Sequence, residues 1–239
     1  MSKLARYKVS FALKAFAALL ALGVGGFAAA QQLALAQQEE TAKPPQPEAP
    51  PITLKGDATR GRILASTCAG CHGIPGYENA YPVYNVPKLG GQNEAYITVA
   101  LQDYRRQSRS FATMQAQAAA LSDQDIADVA TYFASVKNVH GEPTTGISDA
   151  SDEQIAAGKQ KAAACAACHG PVGISQAPQF PNLAGQHASY LLQVMKEYKT
   201  GGRQDIIMGP MVSTLSEQDM ENIAAFFAAQ PGLFTIKGM

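Results

Sequence analysis

The sequence predicts an all-α protein built from two similar domains in tandem, because it repeats itself and because its periodic segments have helical spacing. Three blocks recur in the same order. They are, first copy before second, CAGCHG at 68–73 and CAACHG at 165–170, PKLGGQNEAY at 87–96 and PNLAGQHASY at 181–190, and LSDQDIADVATYF at 121–133 and LSEQDMENIAAFF at 215–227. The first pair is offset by 97 residues and the other two by 94. Matching blocks in one order indicate an internal duplication.

The first 36 residues predict a secretory signal peptide. Four basic residues lie among the first 14 positions, a charge-free apolar run follows at 15–30, and the small residues at 34–36 fit a cleavage site. The alternative is an uncleaved membrane anchor, although an apolar run of about 16 residues is marginal for a span that needs roughly 20. We therefore expect export to the periplasm, with residues 1–36 removed.

Residues 37–55 predict a disordered linker, because five prolines stand between positions 44 and 51 with few apolar residues around them. A chain of this composition cannot bury a core and behaves as a semi-extended spacer. The repeat then divides the remainder into a first domain at 56–140 and a second domain at 141–239. The join lies at 137–150, where Gly, Pro, Ser and Thr are typical of a connector.

The charge balance argues against a nucleic-acid-binding protein. The whole chain carries 19 basic and 19 acidic residues, and removal of residues 1–36 would leave 15 basic residues against 19 acidic ones. The mature protein is therefore expected to carry a net charge of about −4, whereas a nucleic-acid-binding domain normally has a basic excess.

Each copy predicts three helices, and the two members of each pair start at matching positions. In the first copy, one helix is predicted from about 57 into Cys68, a second from Glu94, and a third after the cap signal at Ser122. In the second copy, the first helix runs from about 152 into Cys165 and starts with a capping box of Ser151 and Gln154. The second helix there runs from Ala188 to Gly201, and the third follows Ser216. These signals are typical of helix starts and ends. With fewer than about 100 residues, each domain has barely enough core to be stable alone, so a bulky apolar group at its centre would help.

Both copies contain Cys-x-x-Cys-His, the attachment motif for c-type haem. The residues are Cys68, Cys71 and His72 in the first copy and Cys165, Cys168 and His169 in the second, and the chain has no other cysteine. The two cysteines of a motif can each form a thioether with a haem vinyl group, while the histidine presents its imidazole to the iron. Disulfides are the default in an exported protein, but the motif argues otherwise. A thioredoxin-like dithiol expects a βαβ context, and structural zinc lacks a fourth ligand in each copy.

On these motifs, residues 56–239 resemble a di-haem cytochrome c of the cytochrome c4 family, built from two class I cytochrome c domains in tandem. The resemblance covers both copies and implies two covalently bound haem c groups. It also implies that a Pro carbonyl accepts a hydrogen bond from each ligand histidine, with Pro87 and Pro181 opening the family's Pro-x-Leu-x-Gly motif. Such a hydrogen bond fixes the imidazole tautomer and raises the basicity of the ligand.

The resemblance further implies that the first and last helices of each domain cross closely at a glycine, which is Gly61 in the first domain and Gly158 in the second. The aromatic residues expected opposite these glycines are Tyr132 or Phe133 in the first copy and Phe226 or Phe227 in the second. The departures from the family pattern are the Pro-rich linker and three extra residues within 73–86. They affect the expected partner surface and not the haem sites.

The repeat also selects methionines for the second axial position of each iron, where a thioether suits Fe(II) and raises the reduction potential. Met114 and Met208 each stand seven residues before the Leu that opens the third block. Met211 matches Gln117 instead, and it is predicted to be a core or pocket-lining residue. The predicted axial ligands are therefore Met114 and Met208, opposite the two histidines.

The remaining histidines, methionines and matched tyrosines near these positions are predicted to have ordinary roles. They are His140 and His187, predicted at the surface, Met195 and Met220, predicted in the core, and Tyr96 and Tyr190, predicted either to contact the haem or to pack elsewhere.

Two haems with both axial positions filled leave one-electron transfer as the available chemistry. We therefore expect a periplasmic electron carrier and not an enzyme. The resemblance implies transfer from a quinol-linked respiratory donor complex to a haem–copper terminal oxidase, by a monomer with at most loose membrane association. The alternative is an electron-accepting cytochrome subunit of a periplasmic dehydrogenase such as a flavocytochrome. A third class, a haem peroxidase, would need an open axial position.

Overall fold

The computed structural model describes residues 50–237, so the predicted signal peptide and residues 37–49 of the linker lie outside the described residues. The α-helices of this part are α1 Ala58–Leu64, α2 Ser66–His72, α3 Glu94–Arg105, α4 Ala112–Ala119, α5 Asp123–Ser135, α6 Asp152–Lys161, α7 Ala166–His169, α8 Ala188–Thr200, α9 Met208–Ser213 and α10 Glu217–Ala229. Between residues 50 and 237, β-structure is limited to isolated bridges, and no helix is long and apolar enough to span a membrane. The predicted all-α fold is confirmed.

The three predicted helices of each copy occur in the predicted order, but the first of them is divided. A further short helix that the sequence patterns do not predict, α4 in the first copy and α9 in the second, precedes the last one. In the first copy, α1 ends at Leu64 and α2 begins at Ser66, with the fully buried Ala65 between them. In the second copy, α6 is followed by a 3-10 turn, Ala162–Cys165, and then by α7. The cysteine motif therefore lies on a short helical segment after the break, and not at the end of one continuous helix.

The predicted capping residues occupy the helix ends. Ser122 and Ser216 each accept a hydrogen bond from the backbone N–H three residues further on, and the Asp at that position accepts one from the N–H of the Ser. Ser151 likewise accepts a hydrogen bond from the N–H of Gln154. Helix α8 ends at Gly201, whose φ of 81° lies in the left-handed region that glycine adopts without strain.

The first and last helices of each copy cross at a glycine. A Cβ on Gly61 would lie 2.0 Å from the carbonyl oxygen of Asp128, and a Cβ on Gly158 would lie 1.9 Å from that of Asn222. The aromatic residues at these crossings are Tyr132 and Phe226. The Cβ of each would lie 2.9 Å from the Cβ added to the facing glycine. No larger residue fits at either position unless the two helices move apart.

Each copy has its own hydrophobic core, and the C-terminal segment of the chain joins the first one. The core of the second copy buries Met195 and Met220, as predicted. The core of the first copy includes Phe234 and Ile236, both 7% exposed. Phe234 also exchanges two backbone hydrogen bonds with Gly90, at 3.1 and 3.2 Å. The last described residues therefore pack on the first copy, although they follow the second copy in sequence.

Candidate haem sites

The first cysteine of each motif lies beside the core of its own copy. Cys68 packs against the core of the first copy, and Cys165 packs against the core of the second. All four cysteines are half-buried free thiols. Burial raises the pKa of both Cys68 and Cys165. Free thiol pairs beside a core, unlike disulfides, can form thioether bonds to an apolar group.

The histidine of each motif is held by a proline carbonyl. Nδ1 of His72 lies 2.7 Å from the carbonyl oxygen of Pro87, and Nδ1 of His169 lies 3.0 Å from that of Pro181. Because a carbonyl oxygen only accepts, Nδ1 carries the proton in both rings. Burial lowers the pKa of both histidines, although the proline carbonyl acts in the opposite direction. Each imidazole is therefore neutral, and its Nε2 is free to bind a metal.

The structure separates the two methionines of the second copy. Met208 is the first residue of α9, is half-buried, and packs against the second core. Its backbone N–H donates to Oδ1 of Asp205 at 2.7 Å. Met211, by contrast, is 42% exposed, so its predicted place in the core is wrong, whereas its alternative role of lining a pocket stays a prediction. Met114 is half-buried in the first turn of α4, at the position that matches Met208.

One of the two spare histidines is buried, contrary to the prediction. His140 is exposed in the connector, as expected. His187 is only 3% exposed, and its Nδ1 accepts a hydrogen bond from the backbone N–H of Ile147 at 3.1 Å. Burial, and then the nearby charge of Lys88, lower the pKa of His187 to about 4. The prediction failed because the connector folds back over this residue, and its sequence does not reveal that path.

A pair of buried arginines lies where the two copies meet, and sequence reasoning missed it. Arg109 and Arg203 are 5% and 4% exposed, and an isolated bridge joins their backbones. The Nε atom of each lies 3.3 Å from a carboxylate oxygen of its own copy, on Asp103 or Glu197. The repeat did carry a signal for this pair, since each arginine stands five residues before the predicted methionine ligand of its copy.

Tyrosine rings surround the two guanidinium groups. The guanidinium carbon of Arg109 lies 5.3 Å from the ring centre of Tyr96 and 5.5 Å from that of Tyr104, and the same distance for Arg203 and Tyr198 is 5.5 Å. Nη2 of Arg203 also donates to the hydroxyl of Tyr104 at 3.4 Å, which links the two copies. Among the described residues, the buried Nη1 of Arg203 has no hydrogen-bond partner.

The matched tyrosines Tyr96 and Tyr190 lie beside this arginine pair. The hydroxyl of Tyr96 accepts a hydrogen bond from Nη1 of Arg109 at 3.4 Å. The ring of Tyr190 packs 6.1 Å from the ring of Tyr84, and burial raises the pKa of Tyr190. Both tyrosines therefore belong to the contact region between the copies.

Comparisons with known proteins agree with this architecture. A family model described as Cytochrome c matches residues 58–137 and again residues 155–230. Cytochrome c4 of Pseudomonas aeruginosa is 34% identical over 178 residues, which cover 72% of this chain and 87% of that protein. The reduced recombinant cytochrome c4 of Pseudomonas stutzeri has a crystal structure that superposes with a TM-score of 0.62 at 29% identity, covering 73% of this chain and 99% of that one. The chain belongs to the cytochrome c4 family.

A further relative is the thiosulfate dehydrogenase electron acceptor of Thiomonas intermedia. It is 31% identical over 176 residues, which cover 70% of this chain and 80% of that protein.

This cytochrome c4 carries two covalent haem c groups, one at Cys68 and Cys71 and the other at Cys165 and Cys168. It is a di-haem electron carrier. The half-buried thiols, neutral imidazoles and thioethers are a donor set that suits haem iron and its vinyl groups.

The buried arginines also fit a haem-containing protein. Each haem has two propionate carboxylates, and a buried cation needs an anionic or hydrogen-bonded partner to offset its loss of hydration. The buried Nη1 of Arg203 is a donor of the kind that a propionate would satisfy.

Proposed function

We propose that this cytochrome c4 carries single electrons in the periplasm, from a respiratory donor complex to a haem–copper terminal oxidase. The observation that carries the proposal is an arrangement repeated in both copies. It consists of a cysteine motif, a histidine held through Nδ1 by a proline carbonyl, and a half-buried methionine at the same register. A haem with both axial positions filled supplies a reversible one-electron couple and has no vacant position for a substrate.

The residues divide into attachment and ligation. The proposed thioether residues are Cys68, Cys71, Cys165 and Cys168, and the proposed axial ligands are His72 and Met114 for the first haem and His169 and Met208 for the second. Burial keeps both imidazoles neutral, and the proline carbonyls fix their tautomer and orientation. The thioether sulfurs of the two methionines favour Fe(II), which raises the reduction potential of each haem.

Arg109 and Arg203 hold haem propionates where the domains meet. Both guanidinium groups are buried, and the Nε atom of each lies 3.3 Å from a carboxylate oxygen of its own copy. Their two positive charges offset propionate charge that would otherwise be buried without compensation.

The N-terminal sequence supports the proposed location. Residues 1–36 act as a signal peptide for export, and the Pro-rich residues 37–55 act as a linker ahead of the domains at 56–140 and 141–239. The mature protein acts as a monomer that is at most loosely associated with the membrane.

An optically followed redox titration tests the axial ligands. Met208→Ala should abolish the sulfur-to-iron absorption of one haem and lower its midpoint potential, and Met114→Ala should do the same for the other haem. The matched controls Met211→Ala and Gln117→Ala should leave both haems unchanged, because both residues are exposed. Loss of the absorption in Met211→Ala, but not in Met208→Ala, would reverse the assignment. Strong binding of carbon monoxide by the reduced wild-type protein would contradict two methionine-ligated irons.

The likeness to a thiosulfate dehydrogenase electron acceptor favours a second candidate function. In this reading the protein is the electron-accepting cytochrome of a periplasmic dehydrogenase, as a cytochrome subunit of a flavocytochrome would be. Co-purification with a dehydrogenase in a fixed ratio, and rapid reduction by that enzyme in stopped-flow measurements, would support it. A stable free monomer that is reduced by a quinol-linked complex would support the carrier.

A further inference from the structure

Two buried glutamines at equivalent positions, Gln92 and Gln186, connect the domains in a reciprocal way. Oε1 of Gln186 accepts a hydrogen bond from the backbone N–H of Lys88 at 2.9 Å, and its Nε2 donates to the carbonyl of Lys88 at 3.1 Å. Gln92 binds the backbone of Asn182 in the same two ways, at 2.8 and 3.0 Å. Each side-chain amide therefore pairs with the backbone of the other domain.

In the first domain, Lys88, which binds Gln186, shares a peptide group with Pro87, the proline that binds the axial histidine. The carbonyl of Pro87 and the N–H of Lys88 are the two ends of one planar peptide group. Nδ1 of His72 donates to its oxygen at 2.7 Å, and Oε1 of Gln186 accepts from its nitrogen at 2.9 Å. A continuous chain of hydrogen bonds thus runs from a side chain of the second domain to the histidine of the first.

An equivalent series of hydrogen bonds runs from a side chain of the first domain to the histidine of the second. The carbonyl of Pro181 and the N–H of Asn182 form one peptide group. His169 donates to its oxygen at 3.0 Å, and Oε1 of Gln92, from the first domain, accepts from its nitrogen at 2.8 Å. Each domain therefore supplies the outer end of the chain that reaches the histidine of the other.

The glutamine side chains are held in a single orientation. They are 6% and 3% exposed. Each Oε1 also accepts the N–H of the following residue, Asn93 at 2.9 Å or His187 at 3.1 Å, and these residues are the N-caps of α3 and α8. A flipped amide would place its NH₂ group against two N–H donors, so only the observed orientation satisfies the hydrogen bonds.

We propose that Gln92 and Gln186 are positioning residues through which each domain tunes the axial histidine of the other. The proposal rests on the proposed function, in which His72 and His169 are the iron ligands. Hydrogen bonds in series polarise one another. A glutamine oxygen that accepts from the peptide N–H makes the proline oxygen a stronger acceptor, and the imidazole becomes a stronger electron donor to iron. Because a stronger donor stabilises Fe(III), each glutamine lowers the reduction potential of the haem in the other domain.

The test uses Gln92→Met and Gln186→Met in the full-length protein with both haems. Methionine keeps the length of the side chain and removes all three of its hydrogen bonds. Gln92→Met should shift the equilibrium between Fe(III) and Fe(II) toward Fe(II) by about two- to fivefold at the haem of His169, and leave the haem of His72 unchanged. Gln186→Met should show the reverse pattern. A redox titration followed by NMR signals resolved for each haem measures both potentials.

The matched control removes a different hydrogen bond between the domains. Oγ of Ser189 accepts from the N–H of Asn85 at 3.0 Å and donates to its Oδ1 at 2.7 Å, and neither bond involves a proline peptide. Ser189→Ala should therefore leave both potentials unchanged. Equal shifts of both haems in Gln92→Met, or a shift of the same size in Ser189→Ala, would overturn the proposal, since the glutamines would then only join the domains.

Gln92→Glu and Gln186→Glu provide a second series if the methionine variants do not fold. Glutamate keeps an oxygen for the peptide N–H, so the potential of the haem in the other domain should stay the same or fall. A rise would contradict the proposal. The Nδ1–H signals of His72 and His169 in the reduced wild-type protein separate the two levels of failure. Absence of ligand-shifted signals would refute the proposed function, whereas ligand-shifted signals that the glutamine variants leave unmoved would refute only the cross-domain tuning.

Discussion

The two domains are alike where they bind haem and differ where they meet the connector. Their cysteine motifs with the ligand histidines match across the repeat, as do Gln92 with Gln186 and Arg109 with Arg203. Two of the buried positions that differ are Lys88 in the first domain, which corresponds to Asn182 in the second, and His187 in the second, which corresponds to Asn93 in the first.

Both unmatched residues bind the connector between the domains. Nζ of Lys88 donates to the carbonyl oxygens of Pro143 at 3.2 Å and Thr145 at 2.5 Å, and Nδ1 of His187 accepts the N–H of Ile147 at 3.1 Å. A duplicated chain has two domains but one connector, so residues that bind the connector need no counterpart. Contact with the connector therefore explains why Lys88 and His187 have no counterpart in the other domain.

The largest effect is expected where the domains are most alike, at the helix crossings. Gly61→Ala and Gly158→Ala should each lower the free energy of unfolding by about 3 kcal/mol or more, because the new Cβ would lie 2.0 or 1.9 Å from a backbone oxygen of the facing helix. Denaturant unfolding followed by circular dichroism measures the loss.

The matched control for these variants is Gly70→Ala. A Cβ on Gly70 meets no atom within 4 Å, and the second copy has Ala167 at this position. Its effect should be below about 0.5 kcal/mol. If only one of the two crossing glycines tolerated alanine, the domains would differ in a feature that the structure shows as equal.

A pH dependence is expected from the unmatched His187. Its pKa is about 4 in the folded protein and about 6.5 in an unfolded chain. As the pH falls from 6.5 to 4, the unfolded chain therefore binds a proton that the folded protein does not, and the free energy of unfolding falls by roughly 2 to 3 kcal/mol. His187→Asn, which copies Asn93 of the other domain, should flatten this pH profile.

His140→Asn is the control for the pH profile, since His140 is exposed in the connector. It should retain the wild-type slope between pH 4 and 6.5. An unchanged slope in His187→Asn would show that the acid sensitivity arises elsewhere.

Loss of the unmatched lysine should have a smaller effect. Burial lowers the pKa of Lys88 to about 8, so its ammonium group is largely charged at pH 7 and binds the carbonyls of the connector. Lys88→Met should lower the free energy of unfolding at pH 7 by about 2 kcal/mol, because those carbonyls lose a charged donor. Lys159→Met, at an exposed position of α6, should have almost no effect. Equal stability of the two variants would mean that water replaces the ammonium group.

The smallest effect is expected at the matched helix caps. Ser122→Ala and Ser216→Ala should each cost about 1 kcal/mol and should be additive in the double variant, because each removes one capping oxygen from a separate domain. Thermal unfolding measures the loss, and Ser122→Asp should restore most of it in the first domain. A clear departure from additivity would show that the last helices are coupled through the contact between the domains.

Much of each haem site could be predicted because its signals are local or repeated. The cysteine motif occupies five residues, and the caps of α5 and α10 depend on residues three positions apart. The repeat then acts as an internal comparison, which selects Met208 over Met211. The same comparison gives the wrong prediction for His187, since the lack of a histidine at Asn93 predicts surface exposure.

The contact between the domains depends on pairs that are far apart in sequence. Gln186 binds a residue 98 positions away, and Gln92 binds one 90 positions away. Both glutamines stand inside a matched block, but a glutamine in a loop carries no local signal of its partner. Arg109 and Arg203 likewise gain their role only from burial at the join.

The sequence by itself determined the helical class, the duplication and the two haem attachment motifs, because periodicity, caps and the cysteine motif are short-range patterns. The tertiary structure alone decided which polar side chains are buried between the domains, which histidine the connector covers, and where the C-terminal segment packs. These features depend on how two folded units approach each other, and hydrogen bonds over 90 or more residues form only after that approach has occurred.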